Sequence, residues 1–369
     1  MNELEKLTIG IEEEYQIIDP KTRELTSFIR EFLDQSAILF RDQLQPELLQ
    51  SQVEVGSKVC NNVQDVAAEV RRLRSMICNL ANENNRSILA AGTHPFSSWK
   101  DQVVTDKDRY HGFIDSMQIV AKRLLIFGMH VHIGIKNRDL RIDIMNQMRY
   151  FMPHILTLST SSPFWRGEDT GFKSYRSIVF EDLPRTGTPE FFDSASDYDR
   201  YVDTLIKAGC IDEPTKIWWD IRPHPKFPTL EFRICDCTTK IEEVTTIAAL
   251  IQALVAKLIQ LRQKNLTWRP YRAGFITENK WRAMKDGIHG KLIDFGKGVE
   301  LPVTELMEEL LDFIDDVLDI LGSRNEVEYL RTILDEGTSA DRQLKCYKET
   351  GEMTRVVDML AEDTIAGCT

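Results

Sequence analysis

Three short apolar segments of this chain each carry two ionisable side chains at alternate positions. The pairs are Glu12 and Glu14 within residues 8–15, His130 and His132 within residues 128–134, and Glu231 and Arg233 within residues 230–234. Side chains alternate between the two faces of a strand, so the members of each pair are predicted to share one face. Unpaired carboxylates that face a protein interior are costly, and a bound cation is the usual remedy. The pattern therefore predicts strands that form the floor of a metal site.

The composition is that of a soluble globular protein. The 369 residues are 42% hydrophobic and 28% charged, which allows a sizeable core and is unlike a disordered chain. The net charge of −12 argues against a nucleic-acid partner, but it is compatible with a local basic pocket for a nucleotide. No apolar run approaches the roughly 20 residues that span a bilayer, and residues 1–6 lack the order of a signal peptide. We expect a cytoplasmic protein without a membrane partner.

The order of predicted elements indicates an α+β fold with a mainly antiparallel sheet. Strands are predicted at 7–18, 88–93, 126–135, 218–222 and 229–236, and helices at 63–87, 110–125, 139–160, 241–264, 277–286, 302–321, 323–334 and 338–365 with breaks. Residues 161–195 are predicted to be a long, partly ordered loop. Because no repeat or linker interrupts the chain, we expect one domain over 1–369. Its motifs lie within 7–236, and a helix-rich part covers 240–369.

The first two motifs each have a structural alternative. A run of three glutamates is usually a solvated patch, and Glu13, on the opposite strand face, is interpreted in this way. Apolar residues on both sides of Glu12 and Glu14 argue against a solvent-exposed position for these two carboxylates. A single histidine on a strand is usually structural, but His130 and His132 share a face between glycines. Imidazole among carboxylates suits Mg²⁺ or Mn²⁺ better than zinc.

The third motif also has two interpretations. Glu231 and Arg233 could form a cross-strand salt bridge, or a metal ligand beside a phosphate clamp, since arginine binds phosphate oxygens bidentately. Glu47 and Glu54 are seven residues apart, a spacing that says little by itself. The chain has no glycine-rich phosphate loop. A bound nucleotide would therefore be held by metals and cationic side chains.

Taken in order, the motifs resemble those of a known family. They are Gly10-Ile11-Glu12-Glu13-Glu14, Gln52-Val53-Glu54, Ala91-Gly92-Thr93-His94-Pro95, Gly128-Met129-His130-Val131-His132, Ser174-Tyr175-Arg176, Pro184-Arg185-Thr186-Gly187 and Leu230-Glu231-Phe232-Arg233. This set is similar to the type-two glutamate–cysteine ligase family, in its YbdK-like carboxylate–amine ligase branch, within the glutamine synthetase/glutamate–cysteine ligase superfamily. Each motif is weak alone, and their joint order is specific.

The resemblance implies a fold and a set of site residues. The fold would be a curved, mainly antiparallel sheet with the active site on its concave face, surrounded by helices as in the catalytic domain of glutamine synthetase. One Mg²⁺ would be held by Glu14, Glu47 and Glu54, and a second by Glu12, His130 and Glu231. His132 would lie near the ATP phosphates, and Arg233 would face the transferred phosphoryl group. Arg176 would bind the carboxylate of glutamate, and Arg185 is a looser candidate for the same substrate.

The implied activity is that of an ATP-dependent carboxylate–amine ligase, with weak glutamate–cysteine ligation through an acyl phosphate. The substrates would be ATP, a glutamate-like acid and an amine such as cysteine, with Mg²⁺ or Mn²⁺ as cofactor. From the resemblance, and because two-fold symmetric dimers are the commonest assemblies, we expect a homodimer. The acidic cluster leaves two alternatives open: a metal-dependent amide hydrolase that does not use ATP, and a non-catalytic metal or nucleotide sensor.

Overall fold

The computed structural model describes residues 7–36 and 43–368, and the centre of this part is a seven-stranded antiparallel sheet. The sheet contains β1 (Ile9–Ile18), β2 (Leu44–Pro46), β3 (Gln52–Gly56), β4 (Ser87–Leu89), β5 (Gly128–Gly134), β10 (Ile221–Pro223) and β11 (Thr229–Asp236). Separate two-stranded sheets pair β6 (Phe164–Trp165) with β7 (Glu168–Asp169), β8 (Thr186–Gly187) with β9 (Trp218–Trp219), and β12 (Lys291–Asp294) with β13 (Val299–Pro302). The strand order is β10-β11-β5-β1-β3-β2, and β4 also pairs with β1. The predicted α+β class and mainly antiparallel sheet are confirmed.

Helices occupy much of the remaining chain. In chain order they are α1 (Ile29–Ser36), α2 (Val63–Glu83), α3 (Asp108–Met117), α4 (Ile119–Lys122), α5 (Arg138–Met148), α6 (Met152–Ser159), α7 (Tyr175–Phe180), α8 (Ala195–Lys207), α9 (Ile241–Gln263), α10 (Ala273–Asp286), α11 (Val303–Leu321), α12 (Arg324–Glu336), α13 (Ser339–Thr350) and α14 (Met353–Ile365). Two of them, α2 and α9, pack on one face of the central strands. The other face of these strands is therefore left for polar side chains.

Alternation along β1 separates the core from the polar face. Ile9 and Ile11 are buried in the largest apolar cluster, together with residues of α2, β5 and α9. Glu12 and Glu14 point to the other side and are half-buried. The period of two that was read from the sequence thus places both carboxylates on the face opposite the helices.

Helix α9 corrects the expectation that no apolar run is long enough to cross a membrane. It is the one helix among the described residues that is long and apolar enough, with 23 residues and a mean hydropathy of 1.8 over its most apolar stretch. However, 83% of that stretch is buried inside the protein. A helix that is apolar on all sides is expected at the centre of a large core, and this is where α9 lies.

Glu13 is not the solvated carboxylate that the sequence suggested. It is 1% exposed, and its Oε1 atom lies 2.5 Å from Nη2 of Arg74, which is fully buried on α2. The hydroxyl of Tyr15 donates to the other carboxylate oxygen. The face of β1 opposite Glu12 and Glu14 thus contains a buried ion pair.

The Arg74 guanidinium also joins distant parts of the chain. It donates to the backbone carbonyls of Thr238, Thr239 and Thr364, of which the first two follow β11 and the third lies on α14. The hydroxyl of Thr364 in turn accepts a hydrogen bond of 3.0 Å from the backbone N–H of Ala90. Arg74 therefore ties α2, the end of β11 and α14 to the back of the sheet.

Several predicted boundaries differ from the observed ones. The helix predicted over 110–125 is split at Gln118, whose φ of 50° is incompatible with a continuing helix. The helix predicted over 139–160 is two helices joined by a 3₁₀ turn at Arg149–Phe151. The segment 161–195, predicted as a loop, contains β6, β7, α7 and β8. These short elements are stabilised by pairing or packing with other segments, and the periodicity of a short sequence does not reveal such contacts.

His94, in the loop after β4, is a fully bonded neutral imidazole. Its Nδ1 atom accepts from the backbone N–H groups of Phe96 and Ser97, and its Nε2 atom lies 2.9 Å from the carbonyl of Arg23. Two N–H groups directed at Nδ1 leave no place for a second ring proton. Burial accordingly lowers the pKa of His94 to about 4.

Because the pKa of His94 is lowered, we expect the folded protein to lose stability in mild acid. Between pH 6.5 and about 4 the unfolded chain binds a proton at residue 94 that the folded protein does not. Stability from this group is thus complete above pH 6.5 and is lost as the pH falls, by on the order of 3 kcal/mol. Urea midpoints at pH 7 and pH 4.5 should differ less in a His94→Gln variant than in the unmodified protein. The exposed His111→Gln change is the control, and equal differences in all three proteins would contradict the prediction.

Candidate active site

Strand register brings the three sequence motifs together on one face of the sheet. Glu12 on β1 lies opposite His130 on β5, and His132 on β5 lies opposite Glu231 on β11. Directly opposed residues of antiparallel strands share a face and are close neighbours. On the other side of β1, Glu14 lies opposite Glu54 of β3. The face thus has an acid–histidine part and a purely acidic part.

Glu12, His132 and Glu231 form the tightest group of metal-ligating atoms. One ligand atom from each lies within 4.8 Å of the others, which within residues 7–36 and 43–368 is true of this group alone. Glu12 Oε1 lies 3.3 Å from His132 Nε2, and Glu12 Oε2 lies 3.1 Å from His130 Nδ1. The resemblance implies His130 as the third ligand beside Glu12 and Glu231; in the structure His132 is the third member of the group, and His130 contacts the other oxygen of Glu12.

His130 keeps a ring nitrogen that is free to bind a cation. The Nε2 atom of His130 is buried and has no hydrogen-bond partner among the described residues. Burial and the charge of Arg233 lower the pKa of His130 to about 4, so its imidazole is neutral and keeps a free lone pair. For His132, burial alone would lower the pKa, but the adjoining Glu12 carboxylate outweighs it and raises the pKa. An orphaned buried nitrogen beside a carboxylate is a fitting ligand for a divalent cation.

Glu12 and Glu231 are both held as carboxylates. Burial would raise the pKa of Glu12, yet hydrogen bonds with His130 and His132 hold it below its usual range. Glu231 is 1% exposed, and although burial opposes ionisation, Arg233 and Arg222 hold its pKa well below the usual range. Each group can therefore present a negative oxygen to a cation without first losing a proton.

Two arginines donate hydrogen bonds to the Glu231 carboxylate. Arg222 on β10 donates from Nε to Glu231 Oε2 at 2.7 Å and from Nη2 to Oε1 at 3.2 Å, and Arg233 donates to Oε1 as well. Arg233 lies where the register of β11 shifts against β5, and its backbone N–H donates to the carbonyl of Asp220 at 2.8 Å. Arg222 was missed by the sequence analysis. Its position at the end of a predicted strand, across a turn from Glu231, is the signal that would have revealed it.

The second acidic group consists of Glu14, Glu47 and Glu54. Burial and the charge of Glu47 raise the pKa of Glu14 to about 7. Burial and the neighbouring carboxylates also raise the pKa of Glu54 well above its usual value, and Glu47 and Glu54 share a hydrogen bond between their side chains. Three crowded carboxylates that resist ionisation fit a divalent cation, whose charge removes the repulsion.

Arg176 lies at the edge of this acidic group. It is 4% exposed at the start of α7, and its guanidinium donates to the carbonyls of Arg233 and Ile234, each at 3.4 Å. The guanidinium also fills the space that a side chain at Gly128 would occupy. Because Gly128 opens the β5 strand that carries both histidines, the position of Arg176 is tied directly to the site.

Asp236 is a second residue that the sequence analysis missed. Its buried carboxylate accepts from the backbone N–H of Ser161 at 2.9 Å, and from the hydroxyls of Ser162 at 2.7 Å and Ser174 at 2.8 Å. Ser162 Oγ in turn accepts from the backbone N–H of Arg176. Asp236 thus connects the segment that carries Arg176 to β11. A single aspartate has no sequence pattern that would predict this role.

Arg185 lies outside this cluster in the described structure. Its Nε atom donates to the carbonyl of Lys216 at 3.0 Å, and its guanidinium lies 5.6 Å from the centre of the Trp218 ring. Both partners belong to the β9 region. The described contacts of Arg185 therefore do not bring it to the carboxylates that surround Glu12 or Glu14.

A cavity of about 940 Å³ opens beside Glu12 and His132. Apolar residues form much of its lining, including Ile9, Ile135 and Leu140. A mostly apolar cavity that ends at a few polar groups is the usual form of a small-molecule site. Glu12 and His132 are thus the residues of the acid–histidine group that line this cavity.

Comparison with known proteins identifies the family. Residues 8–359 match the model of glutamate-cysteine ligase family 2. A Chloroflexus aggregans protein with the provisional name glutamate–cysteine ligase 2 is 54% identical over 360 residues, which cover 98% of this chain and 92% of that protein. A Solibacter usitatus protein of the same name is 49% identical over 362 residues, covering 98% and 94% of the two chains.

Two solved structures share the fold at low sequence identity. Glutamate–cysteine ligase from Francisella tularensis in complex with AMP has a TM-score of 0.73 and 13% identity, covering 99% of this chain and 89% of that one. A bifunctional glutathione synthetase from Pasteurella multocida has a TM-score of 0.72 and 14% identity, covering 99% and 53%. The sheet with its polar face, the order of the motifs and the full-length sequence matches lead to one conclusion. This chain belongs to glutamate–cysteine ligase family 2.

Proposed function

We propose that this protein is an ATP-dependent carboxylate–amine ligase that joins glutamate to an amine such as cysteine. A weak glutamate–cysteine ligase activity would form a γ-glutamyl amide through an acyl phosphate, with release of ADP and phosphate. The observation that carries the proposal is the face of β1, β5 and β11, where carboxylates, histidines and arginines converge beside a cavity of nucleoside size. Membership of the ligase family supports the same conclusion.

Two sets of residues would hold divalent cations, Mg²⁺ or Mn²⁺. Glu14, Glu47 and Glu54 form one set, and Glu12, His132 and Glu231 form the other, with His130, which contacts Glu12, as a further candidate. When bound, such cations neutralise phosphate and carboxylate charge so that two anions can approach each other. Without that neutralisation, the acidic face would repel both ATP and the acid substrate.

The cationic side chains would position the reacting groups. Arg233, next to Glu231, would contact the transferred phosphoryl group, and His132 would lie near the ATP phosphates at the mouth of the cavity. Arg176 would bind a carboxylate of the acid substrate, since a guanidinium matches a carboxylate bidentately. An oxygen of the γ-carboxylate of the acid substrate attacks the γ-phosphorus of ATP, and the bond from that phosphorus to ADP breaks. The amine nitrogen then attacks the acyl carbon, phosphate leaves, and the amine loses its proton to solvent.

Catalysis of this kind depends mainly on position and charge. Arginines fixed by buried hydrogen bonds need little reorganisation during the reaction, which is how preorganised sites lower a barrier. The contacts of Arg176 with the backbone of β11 and those of Arg233 with Glu231 are such fixed points. No protein nucleophile is required.

The arrangement around Gly128 gives a test of the role of Arg176. A methyl group at position 128 would overlap the Arg176 guanidinium and displace it. A Gly128→Ala variant should raise the KM for glutamate between about tenfold and a hundredfold, because small displacements of a positioning group are costly. The KM for ATP should change little. Gly112→Ala on α3 is the matched control, because nothing lies within 4 Å of its added carbon.

The outcome of this pair of variants separates two explanations. A rise in the KM for glutamate in Gly128→Ala alone agrees with substrate binding by Arg176. Equal kinetics in Gly128→Ala and the unmodified protein would show that Arg176 does not bind the acid.

The amide hydrolase alternative is not supported by the comparisons, since the matched family is one of ligases. A metal-bound water could use the same acidic face, so ATP dependence is the deciding measurement. ADP release that requires glutamate and an amine together supports the ligase. Turnover of a γ-glutamyl amide without ATP would restore the hydrolase. Screening amino acids and amines for glutamate-dependent ADP formation, with mass detection of the product, would also identify the acceptor.

We further propose that the whole chain works as one domain in the cytoplasm and forms a homodimer. Symmetric dimers are the commonest assembly of soluble enzymes. Sedimentation equilibrium at several concentrations measures the assembly directly, and a mass of one chain throughout would contradict the dimer.

A further inference from the structure

A second cavity, of about 670 Å³, lies between α5, α8 and the turn that joins β10 to β11. Four cationic residues line it, namely Lys136, Arg138, Arg141 and Lys226. We call it the cationic cavity. It contains none of the carboxylates or histidines of the two proposed metal groups, and of its four cations only Lys136 also lines the larger cavity, so the activity proposed above does not account for most of its charge.

Arg141 gives this cavity a buried positive charge. The residue is 7% exposed, and its Nε and Nη2 atoms donate to the carbonyl of Ile135 at 3.0 and 2.7 Å. Within residues 7–36 and 43–368, no carboxylate contacts its guanidinium. Burial and the charge of Arg138 lower the pKa of Arg141, which agrees with a cation that lacks an acidic partner. A buried charge without a partner is costly, and a ligand of opposite charge would remove that cost.

The other charges of the cavity do not compensate it. Two acids line the wall: Asp199, whose carboxylate lies 2.6 Å from Arg138, and Asp203. Lys136 and Lys226 are exposed and have no ion pair in the described part of the chain. The chain as a whole carries a net charge of −12, so this local excess of positive charge is opposite in sign to the charge of the whole protein.

The cationic cavity adjoins the proposed active site without being part of it. His224 lines its wall, and the ring of His224 lies 5.4 Å from the ring of His132 between centroids. Lys136, Phe227 and Pro228 line both this cavity and the larger one beside Glu12. A ligand here would therefore sit next to the catalytic face and share a wall with the nucleoside cavity.

We propose that the cationic cavity binds a small anion with at least two negative charges, held by Arg141 and by the lysines at its mouth. Both phosphates and dicarboxylates have this chemistry. The site is separate from the metal groups, so the proposal does not depend on the ligase activity. It assigns the cavity as a place where an anionic metabolite can bind beside the active site.

Calorimetric titration of the purified protein with inorganic phosphate, and separately with succinate, tests the proposal at constant ionic strength. At least one of the two should bind with a stoichiometry near one. Arg141→Met should weaken that binding roughly tenfold or more, because a charge-assisted contact is lost. Lys226→Glu should also weaken it, and this exposed position can change without affecting the fold. Lys122→Glu, an exposed charge reversal on α4, is the control and should bind as the unmodified protein does.

The outcomes distinguish this site from the catalytic one. Binding of phosphate alone or of succinate alone supports the proposal and identifies the class of anion. Absence of binding by both probes would overturn it. So would binding that survives both Arg141→Met and Lys226→Glu, or binding that is lost in Arg233→Met and kept in Arg141→Met, since the probe would then occupy the catalytic face.

Discussion

Replacement of Glu231 by glutamine is expected to reduce glutamate-dependent ADP formation by about a hundredfold or more while the fold is retained. Glutamine keeps the shape of the side chain but removes the negative charge between Arg222 and Arg233. The site then loses one metal ligand. Arg222 and Arg233 are left without their anionic partner, and these two buried cations repel a metal ion. Losses of this size are typical when one charged group of a preorganised site is removed.

Three measurements make the Glu231→Gln result specific. Steady-state ADP release gives the activity, circular dichroism gives the retained fold, and Mn²⁺ binding followed by electron paramagnetic resonance reports the metal site independently of turnover. Glu300→Gln is the matched control, because this carboxylate also contacts two basic side chains, Arg282 and Lys291, but at the surface. Activity of the Glu231→Gln variant equal to that of the control would mean that the catalytic face has been misplaced.

The second large effect concerns stability. Arg74→Met should destabilise the protein by about 3–5 kcal/mol, because it leaves the Glu13 carboxylate buried without a charge partner. The carbonyls of Thr238, Thr239 and Thr364 would lose their donor at the same time. A urea unfolding curve should show the loss as a lower midpoint.

A double variant isolates the ion pair. Glu13→Gln combined with Arg74→Met should recover part of the lost stability, because the uncompensated charge is removed. Arg324→Met is the control: this arginine contacts Asp315 and Asp319 at the surface, where ion pairs contribute little. A midpoint for Arg74→Met as high as that of Arg324→Met would show that the buried pair does not support the fold.

The sequence was most informative where a pattern is local. Alternation along β1, β5 and β11 predicted which side chains share a face, and this depends only on the pleat of a strand. It could not predict which side chains meet across strands, because register depends on turns and on the irregularity in β11 after Phe232. The observed register places His130 opposite Glu12 and His132 opposite Glu231, a pairing that alternation alone did not predict.

Residues that act through distant partners were also beyond local patterns. Glu13 looked like part of a surface run, and its partner Arg74 lies 61 positions later on a helix. Asp236 connects to serines that precede it by up to 75 positions. In both cases tertiary packing decides whether a polar side chain is solvated or buried, and an isolated sequence does not encode that choice in any short window.

The link from Arg74 to Thr364 has a consequence for how the protein is made. The strands of the seven-stranded sheet all lie before residue 237, yet the Arg74 guanidinium behind them has all its hydrogen bonds only when α14 is in place. A ribosome that has produced the sheet segments still has more than a hundred residues to translate before this closure. The contact between Arg74 and Thr364 can therefore form only after the segments of the sheet have been synthesised.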